Sequence, residues 1–160
     1  MTAFRLAIAA AAAAGLLAAQ ASAATGPSTL RYLDMSVGAT PAFDAGTGDP
    51  RPGDRVYLRD ALYSWHGDKR GAIAGHVLAT LTFMSSFGAG GATAEISGQL
   101  FLVGGSLRAE GIVHISGGPS RFELPVVGGT GRFVGARGSL RVRDLIASGD
   151  RSAMTVRLLP

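Results

Sequence analysis

The stretch from Leu124 to Leu140 restricts the possible folds of this chain more than any other part of the sequence. It reads Leu-Pro-Val-Val-Gly-Gly-Thr-Gly-Arg-Phe-Val-Gly-Ala-Arg-Gly-Ser-Leu. Val126 and Val127 favour a strand, and the glycines that follow allow the positive backbone angles of a tight turn. From residue 140 to 143 apolar and basic side chains alternate, which is typical of a strand with one buried face. The stretch therefore predicts a β-hairpin whose turn lies at residues 128–131.

A phosphate-binding glycine loop is the alternative interpretation of the same residues. The dinucleotide-binding fingerprint needs a third glycine three residues after Gly131, and Val134 stands there instead. A P-loop needs a Lys-Ser or Lys-Thr pair, and none follows. The hairpin is the better interpretation of the two.

Short apolar runs separated by turn residues continue through the chain from residue 24 onward. The sequence contains 24 glycines, about double the usual share, and they fall mostly between or inside these runs. The predicted strands are Thr29 to Val37, Arg55 to Trp65, Ala72 to Met84, Thr93 to Val103, Leu107 to Ile115, Ser120 to Val127, Phe133 to Asp144 and Ser152 to Leu159. A longer loop, rich in Pro, Gly and Asp, is predicted from Ala39 to Gly53. No segment has the pattern of an amphipathic helix, so the prediction is an all-β, eight-stranded antiparallel β-barrel.

The first 23 residues have the pattern of a cleaved signal peptide. Arg5 precedes an uninterrupted apolar run from Leu6 to Ala19, and Ala21-Ser22-Ala23 offers a cleavage site of small residues. The run is too short to span a membrane. We therefore expect a signal peptide at 1–23, one domain at 24–160, no membrane span after processing, and a secreted or periplasmic protein.

Composition argues against several functional classes. The formal net charge is +4, but the arginines are distributed along the chain, so the sequence does not predict nucleic-acid binding. There is no cysteine, and the three histidines, His66, His76 and His114, lack the close spacing of metal ligands. Only 7% of the residues are aromatic, which disfavours the aromatic girdles of an outer-membrane barrel. We expect neither a metal nor a cofactor.

The hairpin stretch also resembles a known family. Its pattern Pro-Val-Val-Gly-Gly-Thr-Gly-x-Phe-x-x-Ala-Arg-Gly is similar to the C-terminal motif of plant dirigent proteins, and Phe-x-Gly after the glycines resembles allene oxide cyclase. These two families share an eight-stranded antiparallel barrel that usually assembles as a homotrimer. The resemblance therefore implies the same barrel and a homotrimer.

The first predicted strand extends this resemblance. Tyr32-Leu33-Asp34-Met35-Ser36 is similar both to the Phe-His-Asp start of dirigent proteins and to a cyclase segment in which a glutamate precedes an asparagine by two residues. Thr40-Pro41-Ala42-Phe43 resembles the cyclase Ser-Pro-Ala-Tyr. The resemblance implies that Asp34 replaces the cyclase glutamate, and that Ser36 with Thr40 and Pro41 replaces the groups that hold water.

Asp34 is the main candidate for a functional group. By alternation it shares a strand face with Leu30, Tyr32 and Ser36. If that face lines the barrel, the carboxyl group sits in an apolar cavity, its pKa rises, and it can transfer a proton or stabilise charge in a ligand. The alternative is an aspartate that faces outward or forms a structural ion pair.

Four further residues complete the predicted site. Arg137, in the dirigent-like Ala-Arg-Gly, could face inward as a second catalytic group, although such arginines more often form structural ion pairs. Tyr32, Tyr63 and Glu123 are candidates for substrate binding, with core or surface roles as the alternatives.

Two functions remain open at this point. One is a secreted barrel that binds an apolar small molecule and steers its stereoselective cyclisation or coupling, in the dirigent case with a separate oxidase supplying the reactive species. The other is a non-catalytic extracellular ligand-binding or structural barrel. The first requires an open cavity with an inward carboxylate, and the second does not.

Overall fold

The computed structural model describes residues 27–41, 49–67, 69–116, 118–146 and 149–160, and it confirms the predicted fold class. These residues form a closed barrel of eight antiparallel strands. The strands are β1 (Ser28–Pro41), β2 (Arg55–His66), β3 (Lys69–Phe83), β4 (Ala92–Leu102), β5 (Gly105–Ile115), β6 (Arg121–Gly131), β7 (Gly138–Asp144) and β8 (Arg151–Leu158). Each strand pairs with its neighbour in sequence, and β8 pairs with β1 to close the barrel.

The antiparallel order gives the barrel two different ends. At the Asp144 end lie the end of β7 and the connections β1–β2, β3–β4, β5–β6 and β7–β8. At the Phe133 end lie the other three connections, the start of β1 and the end of β8. Phe133 belongs to the β6–β7 connection and is buried against the core.

Alternation along the strands places one apolar row of each strand inside the barrel. In β4 the residues at alternate positions from Ala92 to Leu102 are buried, and those between them are half-buried or exposed. Leu62, Leu100, Leu107 and Val156 are the largest side chains that are almost completely buried. The interior is therefore an apolar core, in which any polar residue stands out.

The predicted turn at 128–131 is wrong, because β6 continues to Gly131 and the connection to β7 occupies residues 132–137. The first glycines of the stretch have another role. A Cβ atom on Gly129 would overlap the carbonyl oxygens of Ser106 and Phe133, so the glycine allows these backbones to approach closely. Gly131 does have the expected positive φ, at 58°. The predicted strand that begins at Phe133 starts only at Gly138.

The first strand is longer than predicted. It continues to Pro41 through an irregularity between Ser36 and Gly38, and the backbone of Thr40 opposes Tyr57 of β2. The predicted loop from Ala39 therefore begins as a strand; residues 42–48 of that loop lie outside the described residues. The predicted signal peptide also lies outside them. Within the described residues, no helix is long and apolar enough to cross a membrane.

Candidate functional site

A cavity of about 210 Å³ opens inside the barrel toward the Asp144 end. Its wall is mostly apolar and comes from every strand of the barrel; the apolar lining includes Leu58, Leu81, Ile96, Leu100, Phe122, Leu124, Val142 and Met154. The volume is below the roughly 300–1,000 Å³ of pockets for drug-sized ligands, so the cavity suits a compact ligand.

Asp34 is the most deeply buried carboxyl group of this cavity. Its side chain is 6% exposed and lies between Leu62 of β2 and Ser152 of β8 on the barrel interior. Oδ1 of Asp34 is inaccessible to solvent and has no hydrogen-bond partner within the described part of the chain. A buried polar atom without a partner is rare, because its desolvation costs free energy that no bond recovers.

The pKa of Asp34 is raised to about 8, mainly by burial. The negative charges of Asp60 and Asp144 raise it further. The group is therefore predominantly protonated at neutral pH. A protonated carboxyl group in an apolar wall can donate a hydrogen bond to a ligand oxygen or transfer its proton to it.

Asp60 on the neighbouring strand β2 and Asp144 on β7, one strand beyond β8, flank Asp34. Asp60 of β2 accepts hydrogen bonds from the Ser36 side chain and the Val37 backbone, while burial has the larger effect and raises the pKa of Asp60. Asp144 accepts hydrogen bonds from the Ser120 backbone amide and the Ser152 hydroxyl, both at 2.7 Å. Asp144 is thus held in place by two donors, whereas Asp34 is left available.

The cavity therefore has a polar arc on an apolar wall. Asp60, Ser36, Asp34, Ser152 and Asp144 follow one another across strands β2, β1, β8 and β7. No lysine, arginine or histidine lines the cavity among the residues that the structure describes. No group of three potential metal ligands occurs there either. The arc can donate hydrogen bonds and tolerate positive charge in a ligand, but it does not attract an anion.

The structure brings two of the other candidate residues close to Asp34. Ser36 lines the mouth of the cavity, next to Asp60. Tyr32 is 8% exposed and occupies the next inward position toward the Phe133 end. Burial raises the pKa of Tyr32, against the opposing effect of Arg132. The side chains of Thr40 and Pro41 lie outside the described residues.

Three candidate residues lie away from the cavity. The interpretation that Arg137 faces inward is wrong, because Arg137 is exposed in the β6–β7 connection at the Phe133 end. It donates to the carbonyls of Val127 and Ala136, at 2.6 and 3.0 Å. Glu123 is on the outer surface and accepts hydrogen bonds from Arg141, the shorter at 2.8 Å. Tyr63 lies beneath the guanidinium group of Arg70, 4.8 Å from the ring centroid.

Sequence reasoning missed Asp60, Asp144 and Ser152. Asp60 alternates with Leu58 and Leu62, and Asp144 continues the inward row of Leu140 and Val142. The sequence pattern that could have identified them was a carboxylate at an inward position of an alternating strand, as for Asp34. The grouping of the three carboxylates depends on strand register, which the sequence alone does not specify.

No family model matches the sequence, and no curated protein matches it. Solved structures do show the same fold. A pyocyanin demethylase superimposes with a TM-score of 0.66 at 20% identity, covering 82% of this chain and 99% of that chain.

Two further structures come from proteins of different activity. AbnU, an exo-specific intermolecular Diels-Alderase, has a TM-score of 0.63 at 19% identity and covers 82% of this chain and 97% of its own. A pterocarpan synthase dirigent protein has a TM-score of 0.63 at 16% identity, with coverage of 84% and 94%. The chain thus shares the barrel fold of dirigent proteins, as the sequence resemblance implied, and also that of a Diels-Alderase. At these identities the likeness establishes the fold and leaves the reaction open.

Proposed function

We propose that this protein is a barrel that binds a compact apolar molecule and steers its stereoselective cyclisation or coupling. The observation that carries the proposal is the buried carboxyl group of Asp34 in a mostly apolar cavity, with its Oδ1 left without a hydrogen-bond partner among the described residues. A purely structural barrel gains nothing from such a group, because its burial lowers stability. The similarity in fold to a Diels-Alderase and a dirigent protein supports the same class of function.

In this proposal the cavity wall supplies the steric control. Side chains from all eight strands surround the ligand, so one folded conformer fits and others do not. A reaction that forms bonds between two parts of one confined conformer then gives one stereoisomer. Exclusion of water also protects a reactive intermediate from hydrolysis.

Asp34 is the proposed proton donor. Its protonated form donates a hydrogen bond to a carbonyl or leaving-group oxygen of the ligand, which lowers the electron density of the reacting carbons. If the proton is transferred, the carboxylate that remains recovers it from the product or from water at the cavity mouth. Ser36 and Ser152 line the same side of the cavity. Their hydroxyl groups donate to Asp60 and Asp144, so they are proposed to orient the ligand by accepting a hydrogen bond from it.

The first experiment tests ligand binding with N-phenyl-1-naphthylamine, a neutral apolar dye whose fluorescence rises in apolar surroundings. We expect saturable binding to the wild type and to Asp34→Asn, and loss of binding in Ala79→Phe, since Ala79 lines the cavity. Thermal melts establish that each variant is folded. Absence of saturable binding to the wild type would remove the cavity as a ligand site.

The second experiment measures stereocontrol with a panel of neutral carbonyl-activated trienes that cyclise slowly by themselves. We expect the wild type to give unequal amounts of the two enantiomers, as resolved by chiral chromatography, and Asp34→Asn to lose at least tenfold in rate. Asp150→Asn, an exposed aspartate at the same end, is the matched control. Saturable dye binding with racemic product across the panel would favour a non-catalytic carrier.

A further inference from the structure

The outer wall formed by β6, β7, β8 and β1 carries a concentration of arginines. By alternation these side chains face away from the core, as Arg141 and Arg143 do on either side of the buried Val142. The six residues are Arg31, Arg121, Arg141, Arg143, Arg151 and Arg157. Arg31 is far from the other five in sequence, and the pairing of β1 with β8 brings it to the same wall.

A groove of about 430 Å³ runs along β8 in this wall. Its floor consists of the short side chains of Ala153 and Thr155. Thr155 lies directly between Arg141 of β7 and Arg31 of β1. The other sides of the groove are lined by Arg121, Arg143 and Trp65.

Outward-facing apolar residues at the groove are covered by the long side chains of neighbouring residues. Leu33 and Ala153 oppose each other on the outer wall, yet each is only 7% exposed. Leu33 lines an adjoining depression together with Trp65, Arg70 and Arg143. Arginine stems and the indole ring therefore pack over apolar surface, which leaves the guanidinium groups at the groove opening.

The positive charge of the groove is largely uncompensated. Glu123 pairs with Arg141, at 2.8 Å, and the described residues provide no other carboxylate within ion-pair distance of this wall's arginines. Arg121 and Arg143 are directly opposite each other on β6 and β7. Like charges in such a cross-strand pair are destabilising, so the arrangement lowers stability unless an anion binds. Hydrogen bonds from Ser139 and Arg141, with the charge of Arg157, lower the pKa of Glu123, which agrees with a positive field.

We propose that this groove binds the phosphate groups of a multiply charged compound, with Arg31, Arg121 and Arg143 as ligands and Trp65 as the surface for its less polar part. Guanidinium groups match phosphate oxygens in pairs, and several of them suit an anion of charge −2 or more. Four of the six arginines, Arg31, Arg121, Arg141 and Arg143, line this one groove, which favours a compact anion over a polynucleotide. The site is on the opposite side of the barrel wall from the internal cavity and does not depend on its function.

Trp65 makes the proposal directly measurable, because it is the single tryptophan of the chain. Inorganic pyrophosphate is titrated at constant ionic strength while tryptophan fluorescence is recorded, and calorimetry gives the stoichiometry. We expect a saturable change with the wild type. The triple variant Arg31→Gln, Arg121→Gln, Arg143→Gln should weaken binding at least tenfold.

The matched control removes the same charge elsewhere on the surface. Arg51, Arg55 and Arg59 are exposed and do not line the groove, so their triple replacement by Gln should leave pyrophosphate binding unchanged. Circular dichroism confirms that both triple variants are folded. Equal weakening in both would show a non-specific charge effect and overturn the site.

Binding tests with lipid vesicles and a DNA oligonucleotide distinguish the possible sources of the phosphate groups. Binding of pyrophosphate assigns the groove to a soluble compound, whereas binding to phosphatidylglycerol vesicles alone, with none to phosphatidylcholine, assigns it to lipid headgroups. Absence of both interactions at millimolar phosphate overturns the proposal. Binding of a DNA oligonucleotide without either would replace it with a general polyanion surface.

Discussion

Asp34 combines a buried position with a group that is costly to bury. The free-energy cost of burial falls on the ionised form. The free energy of unfolding therefore depends on pH, and the direction of its change follows from the pKa shift. The pKa of Asp34 is raised from 3.8 to about 8 in the folded protein. Between these values the folded chain holds a proton that the unfolded chain has lost, so stability falls as the pH rises from about 4 to 8 and is then constant.

Asp34→Asn should remove this pH dependence. At pH 4 the variant and the wild type should have similar urea midpoints, because the protonated carboxyl and the amide are both neutral and nearly the same size. At pH 8.5 the variant should be more stable, by up to roughly 5 kcal/mol, since each unit of pKa difference is worth about 1.4 kcal/mol. Urea unfolding at both pH values checks this, with Asp150→Asn as control. A large loss of stability at pH 8.5 would indicate a structural ion pair.

Gly131 illustrates a different constraint at the residue scale. Its φ is 58°, and a Cβ atom there would overlap the carbonyl oxygen of Gly104 on the neighbouring connection. Gly131→Val should therefore destabilise by at least about 2 kcal/mol, through backbone strain and steric overlap together. Gly90→Val is the control, because Gly90 has open space around it. Equal denaturation midpoints of Gly131→Val and the wild type would contradict this account.

The β6–β7 connection closes the end of the barrel opposite the cavity. Phe133 is 6% exposed within this connection and packs in the core cluster, and Arg132 lies 4.7 Å from its ring centroid. Phe133→Ala should destabilise by roughly 3 kcal/mol or more, because a large buried ring is lost where the backbone cannot collapse.

The neighbouring residue supplies the comparison for Phe133. Val134 is 76% exposed, so Val134→Ala should change the free energy of unfolding by less than about 0.5 kcal/mol. Chemical denaturation of both variants measures the difference. Similar, small effects would mean that Phe133 does not help to close the barrel.

The strands were predictable from sequence because their signal is local. Alternation in runs such as residues 92–102 and the glycines between runs identify strands without knowledge of their partners. The turn after β6 was not predictable in the same way. Gly129 is needed because the Ser106 carbonyl of another strand approaches it, and that contact depends on tertiary packing.

The same distinction applies to the site. Alternation alone identified the face of Asp34, whereas Asp60 and Asp144 join it only through the registers of β2 and β7. The sequence prediction misplaces Arg137 because it assigns residues 133–137, which form a connection, to a strand. The arginine groove was also not predictable, since Arg31 joins the arginines of β6 and β7 only when β1 pairs with β8.

At the scale of the whole molecule, we propose a homotrimer. The outer wall exposes large apolar side chains, among them Ile73 of β3 at 71% and Ile112 of β5 at 63%. Burial of such residues between barrels would stabilise an assembly. Light scattering should give three times the chain mass, and Ile73→Lys should reduce it without unfolding the barrel. A monomer mass at all concentrations would contradict the proposal.

Export is the second proposal at this scale. The apolar run that ends at Ala21-Ser22-Ala23 has the pattern of a cleaved signal peptide. Protein recovered from the periplasm or medium of a bacterial host should therefore have the mass of residues 24–160. An exported chain that still carries Met1 would show that the segment is not removed.

The ladder between β1 and β8 has a consequence for how the protein folds. It pairs Ser28 with Leu158, so it joins segments from the two ends of the sequence. Bringing such distant segments together costs chain entropy before any contact compensates, and proteins with such contacts fold slowly. Until β8 has left the ribosome, β1 and β7 each keep an unpaired edge. Before β8 pairs, these edges leave the emerging chain accessible to chaperones.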